Sequence, residues 1–223
     1  MHVVIAGGHG KIALRLTEVM AGRGHAITGL VRNPDHVEDV VAVGGRAVVC
    51  DLEQADAEHV SGLLGGVDAI VFAAGAGPGS GADRKDTVDR SASVLMADAA
   101  ERAGVGRFVQ ISSMGAGEDP DPERGEVWAA YIRAKTRAEE DLRSRGLDWV
   151  VLRPGRLTDD APTGRVTLAE PKVGRSAVTR GDVAAVLARI LEEPRVSRRT
   201  LELVNGDEDI ATAVDRTVPP EAA

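Results

Sequence analysis

Val3-Val4-Ile5-Ala6-Gly7-Gly8-His9-Gly10-Lys11-Ile12-Ala13 is the stretch on which the reading of this chain turns. A short β-branched run ends in glycines, and an apolar pattern of helical period (Ile12, Leu16, Val19, Met20) begins at once. A buried strand that feeds a helix through a glycine turn is the first unit of a dinucleotide-binding fold. One glycine takes a turn conformation that a Cβ forbids, and another lets backbone approach a pyrophosphate. The third position, Ala13, is small so that helix and strand can pack. Two frames fit: Gly8-x-Gly10-x-x-Ala13, and Gly7-x-x-Gly10-x-x-Ala13 with the first glycine shifted. In a chain with 26 glycines the pattern alone says little, so the strand before it and the helix after it carry the argument.

Outward from this unit, strand and helix alternate. Strands are expected at 2–6, 26–31, 46–50, 68–72, 107–111, 148–152 and 200–204, with a short one near 165–168. Helices are expected at 11–22, 35–42, 57–64, 83–103, 126–145 and 182–192, with a last one ending near residue 216. That beat gives an α/β fold, a doubly wound and mostly parallel sheet (a Rossmann fold). The 223 residues suit one domain over 1–216, with 155–205 as elements on the substrate side and 217–223 as a disordered tail. The 155–178 stretch reads as irregular, after a strand that breaks at Arg153-Pro154-Gly155. The small-residue run at 73–81 and the acidic, Pro/Gly-rich run at 115–125 read as loops, the second a candidate lid.

Composition narrows the function. A net charge of −8 with arginines scattered among acids argues against a nucleic-acid surface. The single cysteine, Cys50, leaves neither a disulfide nor a metal cluster, and no apolar run is long enough to span a bilayer. The first strand starts at residue 2, so no signal segment is read there, and a cytoplasmic setting is expected. The expected partner is a small-molecule substrate; oligomeric state is left open.

Three positions carry chemistry beyond the glycines. Where NAD-selective folds place an acid after the second strand, this chain has Arg32. Its guanidinium suits a 2′-phosphate, or is simply solvated at a strand end; the reading is NADP over NAD. Asp51 either accepts from an adenine amino group or caps the next helix. Tyrosine occurs once, at Tyr131, and Lys135 follows one helical turn later. An ammonium beside a phenol favours the phenolate, so the pair can exchange a proton with a substrate oxygen while a nicotinamide exchanges hydride. The bland alternative is a core tyrosine next to a surface lysine.

With the glycine frame, Arg32, Ser112-Ser113 after the fifth strand, Tyr131-x-x-x-Lys135 and Arg153-Pro154-Gly155, the chain resembles the short-chain dehydrogenase/reductase superfamily. It is most similar to the small atypical members known as NAD(P)-binding or epimerase-like proteins. The resemblance implies a phosphate loop of Gly7, His9, Gly10, Lys11 and Ile12, with Arg32 on the 2′-phosphate and Asp51 and Leu52 on the adenine. It further implies Ala73, Ala74 and Gly75 on the ribose side, with Ser112, Lys135 and Pro154 also at the cofactor. Ser113, Tyr131 and Lys135 would be the catalytic set. Asp89 stands where the family has a supporting asparagine, and the large C-terminal lobe of sugar-nucleotide enzymes is missing. The implied function is NADP-dependent hydride transfer to a small carbonyl or similar acceptor. The alternatives are a non-catalytic NADP(H)-sensing regulator and an epimerase or dehydratase.

Overall fold

The structure, a computed structural model, describes residues 1–77 and 79–219. In chain order the first half runs β1 (His2–Ala6), α1 (Lys11–Gly22), β2 (Ala26–Val31), α2 (Val37–Ala42), β3 (Arg46–Val49), α3 (Ala57–Gly62) and β4 (Ala69–Phe72). There follow α4 (Ala82–Arg84), a π-helical segment (Lys85–Ser91), α5 (Ala92–Ala103), β5 (Arg107–Ile111), α6 (Gly125–Ser144) and β6 (Asp148–Pro154). The chain ends with β7 (Arg156–Thr158), β8 (Arg165–Ala169), β9 (Ala177–Thr179), α7 (Arg180–Glu192), β10 (Arg199–Asn205), β11 (Glu208–Asp209) and α8 (Ile210–Asp215).

Nine strands form the main sheet in the order β11-β8-β10-β6-β5-β4-β1-β2-β3. From β3 to β10 every pairing is parallel, and β8 and β11 close the far edge antiparallel. Alternate side chains of β1 divide between the two faces. Val3 and Ile5 join a core roofed by α1, α7 and α8, whereas Val4 and Ala6 join one roofed by α3 and α5. The strand order reverses between β1 and β4, and the crevice beyond their carboxyl ends is where such sheets bind ligands.

The glycine turn resolves into separate tasks. Gly7 has φ +78°, the left-handed conformation that opens the turn, so the shifted frame Gly7-x-x-Gly10-x-x-Ala13 describes it. Gly8 instead packs on β2. Its N–H donates to the Leu30 carbonyl at 2.9 Å, and a methyl at Gly8 would lie 2.5 Å from the Gly29 Cα.

Four expectations need correction. The helix expected at 83–103 is interrupted by the π-helical turn, whose wider winding places Lys85, Val88 and Asp89 inward. The sixth strand does not break at Arg153. It continues through Pro154, whose missing N–H is harmless because its carbonyl carries the ladder, accepting from Met114 N–H at 3.1 Å. The stretch 155–178 is more regular than expected, since β7 and β9 pair in parallel as a second, two-stranded sheet. At the tail, Thr217 and Val218 donate backbone hydrogen bonds to Val214 and Asp215, and Val218 packs on the core. The rest of that expectation, 220–223, lies outside the described residues, as does Pro78 of the 73–81 loop.

The Gly8 contact yields a test. Gly8→Ala sets a methyl against the β2 backbone at Gly29 and Leu30 and should lower stability by about 2–3 kcal/mol in urea unfolding. Gly22→Ala, at a helix position with nothing within 4 Å, should change it by no more than about 0.5–1 kcal/mol, in the stabilising direction.

Candidate active site

Two clefts lie along the carboxyl edge of the sheet. The first, about 270 Å³, is lined by nine of the expected residues: Gly7, His9, Gly10, Arg32, Asp51, Leu52, Ala73, Ala74 and Gly75. The α1 N-terminus opens into it with no capping side chain and no acidic residue in its first turn, so its N–H groups and positive end remain available to an anion. The nearest atom to a methyl at Gly10 would be the Gly7 carbonyl, 3.3 Å away. That contact with backbone is tight, and without a side chain at Gly10 the turn leaves its backbone bare toward the cleft. An uncapped helix end, a backbone without side chains and an arginine at the far rim fit a dinucleotide.

The rest of this cleft was only partly foreseen. Arg32 and Arg84 both donate to Glu53 Oε2, at 3.0 and 2.6 Å, and the Thr87 hydroxyl donates to Oε1 at 2.8 Å. Desolvation pushes the Glu53 carboxyl up, but the hydrogen bonds from Thr87, Arg84 and Arg32 outweigh it and hold the group below its ordinary value. Asp51 does not cap α3: its Oδ1 accepts from the Glu53 N–H at 3.0 Å, and Asp56 is the cap. His9 stacks on His36 at 3.6 Å and its Nε2 lies 2.8 Å from Asp39. Lys11 points away to Asp159 at 2.6 Å, and Ile12 packs on the core. Neither Glu53 nor Arg84 carries a sequence signal, because α4 meets the end of β3 only in the folded chain.

The second cleft, about 570 Å³, includes Ser113, Met114, Trp128 and Pro154. Tyr131 borders it through Trp128, the ring centroids being 5.4 Å apart. The Lys85 and Lys135 ammonium groups lie 5.5 and 5.8 Å from the Tyr131 ring centroid. Among the described residues the Tyr131 hydroxyl has no hydrogen-bond partner, and the Ser113 hydroxyl has only a long bond to the Met114 carbonyl, 3.3 Å. Both are therefore open to a substrate oxygen.

Beneath these groups lies a buried charged layer. On α6, Ala134, Ala138 and Leu142 face the interior together with Ile132, Lys135 and Glu139, while Val127 is exposed. Lys135 donates to the Ile111 carbonyl at 3.2 Å and pairs with Asp89 at 3.1 Å. Burial works against its charge, but Asp89, with Tyr131 and Glu139 nearby, more than compensates and holds Lys135 above the usual lysine value. Ser112 departs from its expected place at the cofactor: its buried hydroxyl donates to Glu139 Oε1 at 2.5 Å. Arg153 grips both Glu139 oxygens, at 2.9 and 2.6 Å, and Arg143 joins them. Glu139 was missed, and Arg153 was read only as part of Arg153-Pro154-Gly155 at a strand end, with no role of its own. The only sequence trace of Glu139 is a carboxylate eight residues beyond the tyrosine, on the same helical stripe.

Comparison with known proteins bears on this geometry. The family profile described as NAD(P)H-binding matches residues 7–194. The chain belongs to the NAD(P)H-binding family. It is 31% identical over 217 residues to a Bacillus subtilis protein named an uncharacterized sugar epimerase, covering 97% of this chain and all of that one. A Bacillus halodurans structure named for NAD-dependent epimerases and dehydratases superposes with a TM-score of 0.87 at 33% identity, covering 97% and 99% of the two chains. An oxidoreductase structure from Lactococcus lactis superposes at 0.83 with 26% identity, covering 97% and 96%. This NAD(P)H-binding chain thus shares its whole length with oxidoreductase-like and epimerase-like relatives. Among the described residues no helix is long and apolar enough to cross a membrane.

The buried pair makes a stability prediction. Lys135→Met strands the Asp89 carboxylate and should cost about 3–5 kcal/mol in denaturant unfolding. Adding Asp89→Leu to it should recover a large part of that loss. In the parent, the raised Lys135 value keeps this contribution whole below the unfolded lysine pKa of about 10.4 and removes it only as pH rises through the higher folded value.

Proposed function

We propose that the protein is an NADPH-dependent reductase of small carbonyl compounds, with Ser113, Tyr131 and Lys135 as the working set. The observation that carries this reading is a phenol with an unengaged hydroxyl, flanked by two ammonium groups, at the edge of a cleft that also holds a serine whose only hydrogen bond is a long one, 3.3 Å, to the neighbouring Met114 carbonyl. NADPH, when bound, supplies the hydride. The N–H groups at the α1 N-terminus and the bare Gly7–Gly10 turn would hold its pyrophosphate. Leu52 and Ala73 to Gly75 would border the adenosine.

Ser113 then orients the carbonyl oxygen, and Tyr131 gives it a proton as charge develops there. Lys135 acts from behind. Its charge is fixed by Asp89, so it is positioned to steady the phenolate that remains. Arg32 and Arg84, already paired around one anionic oxygen, are the groups we assign to the 2′-phosphate. A second reading has a specific observation behind it. Glu53 between those arginines can accept from ribose hydroxyls, which would favour NAD and the hydride-borrowing chemistry of an epimerase.

Calorimetry with the two cofactors tests the first part. NADP(H) should bind more tightly than NAD(H), and Arg32→Ala should remove about one to two decades of that preference. Equal affinities in the parent would overturn the assignment and support Glu53 as a ribose acceptor. For catalysis, Tyr131→Phe should leave NADPH affinity nearly unchanged and cut carbonyl reduction by about 10²–10⁴-fold. A fully active Tyr131→Phe protein would remove Tyr131 as the acid. Tight NADPH binding without oxidation against any carbonyl or quinone would instead favour a sensor.

A further inference from the structure

The second cleft has a charge that the proposed reaction does not use. Its lining contains three arginines, Arg124, Arg156 and Arg175, and no carboxylate, in a chain whose net charge is −8. Arg156 is exposed and, among the described residues, its guanidinium has no acidic partner. The Arg124 guanidinium sits over the Trp128 indole, its Cζ 3.5 Å from the ring centroid, which makes one wall of the cleft both aromatic and cationic. Arg175 is the partly neutralised one: Glu118 from the facing 115–121 loop pairs with it at 3.1 Å and with Lys172 at 3.6 Å. That one carboxylate is shared between Arg175 and Lys172, so with Arg124 and Arg156 the cleft keeps an excess of positive charge.

We propose that this cleft recognises a carboxylate carried by a planar, unsaturated body, and hence that the natural substrate is an acidic aromatic or conjugated carbonyl compound. Three features join in the assignment. Charge-assisted hydrogen bonds from Arg156 and Arg175 take the carboxylate. The Arg124–Trp128 wall takes the flat body, and Ser113 with Tyr131 takes the carbonyl at the inner end. The substrate class rests on the reductase reading above; the anion site does not.

The test is calorimetric titration with 2-naphthoate and with its neutral isostere 2-naphthamide, in the presence and absence of saturating NADP⁺. The carboxylate should bind about tenfold more tightly than the amide, and added salt should erode the difference. Arg156→Ala should weaken 2-naphthoate about tenfold and leave the amide and NADP⁺ unchanged, with Arg156→Lys restoring part of the loss. Equal binding of the two probes, or no binding of either, overturns the proposal. A parallel loss of NADP⁺ affinity in Arg156→Ala also overturns it, because the arginine would then belong to the cofactor. The two readings fail separately. Carboxylate-selective binding by a protein that reduces no carbonyl would remove the reductase and keep the anion site. Reduction of neutral and acidic carbonyls alike, without naphthoate binding, would do the reverse.

Discussion

Asp89 and Glu139 are carboxylates almost cut off from water, and each is met by a cation from another element. Asp89, on the π-helical turn, meets Lys135 of α6; Glu139, on α6, meets Arg153 of β6 and the hydroxyl of Ser112 after β5. A buried charge without its partner is far costlier than the pair is favourable, so the network fixes geometry more than it adds stability. Here it sets the rotation of α6. The helix turns a lysine and a glutamate inward and leaves Val127 outside, and that rotation brings Tyr131 up to the second cleft. The π-helical turn is part of the same constraint. Its wider winding lets Asp89 reach both Lys135 and the Ala76 N–H, which pins the loop after β4 to the layer below.

The cofactor side is built on an opposite principle. Side chains are absent where a ligand's phosphates need room, and the turn is packed close to backbone, Gly7 against Ala74 and Gly8 against Gly29. One end of the dinucleotide cleft is thus bare backbone and the other is charged side chain, matching a molecule whose pyrophosphate is small and whose ribose end is distinctive. The groups we propose as catalytic lie at the second cleft, which Ser113 lines and Tyr131 borders through Trp128.

How legible was this in the sequence? The parallel sheet was, because each strand facing two cores is a continuous apolar run and each helix ends at a glycine or begins just after a turn. The dinucleotide cleft was largely legible too, since its residues follow directly on strand ends and strand order fixes their neighbours. What escaped depends on helix rotation and on long-range meetings. The stripe Val127, Tyr131, Ala134, Ala138 and Leu142, with Lys135 on or beside the face turned to the sheet, is the reading that α6 invites, and Ala134, Lys135, Ala138 and Leu142 are buried while Val127 is exposed. What it leaves out is Glu139, whose buried partner Arg153 lies fourteen residues away. Ser112 was misjudged for the same reason: its hydroxyl is committed to Glu139, which no local spacing announces. The regular β7 and β9 were hidden by their three-residue length.

Glu53 gives the ribose end of the cleft the character of a loaded ion exchanger. Its carboxylate holds Arg32 and Arg84 together although they repel, so neither guanidinium must be gathered from solution when an anion arrives. That readiness has a cost on the other side of the equilibrium, because the 2′-phosphate we propose there would have to displace an oxygen already in place. Selectivity there is accordingly a difference between two anion affinities rather than the strength of either arginine. On departure the same carboxylate stands ready to recapture both charges, so release leaves no bare pair of cations behind.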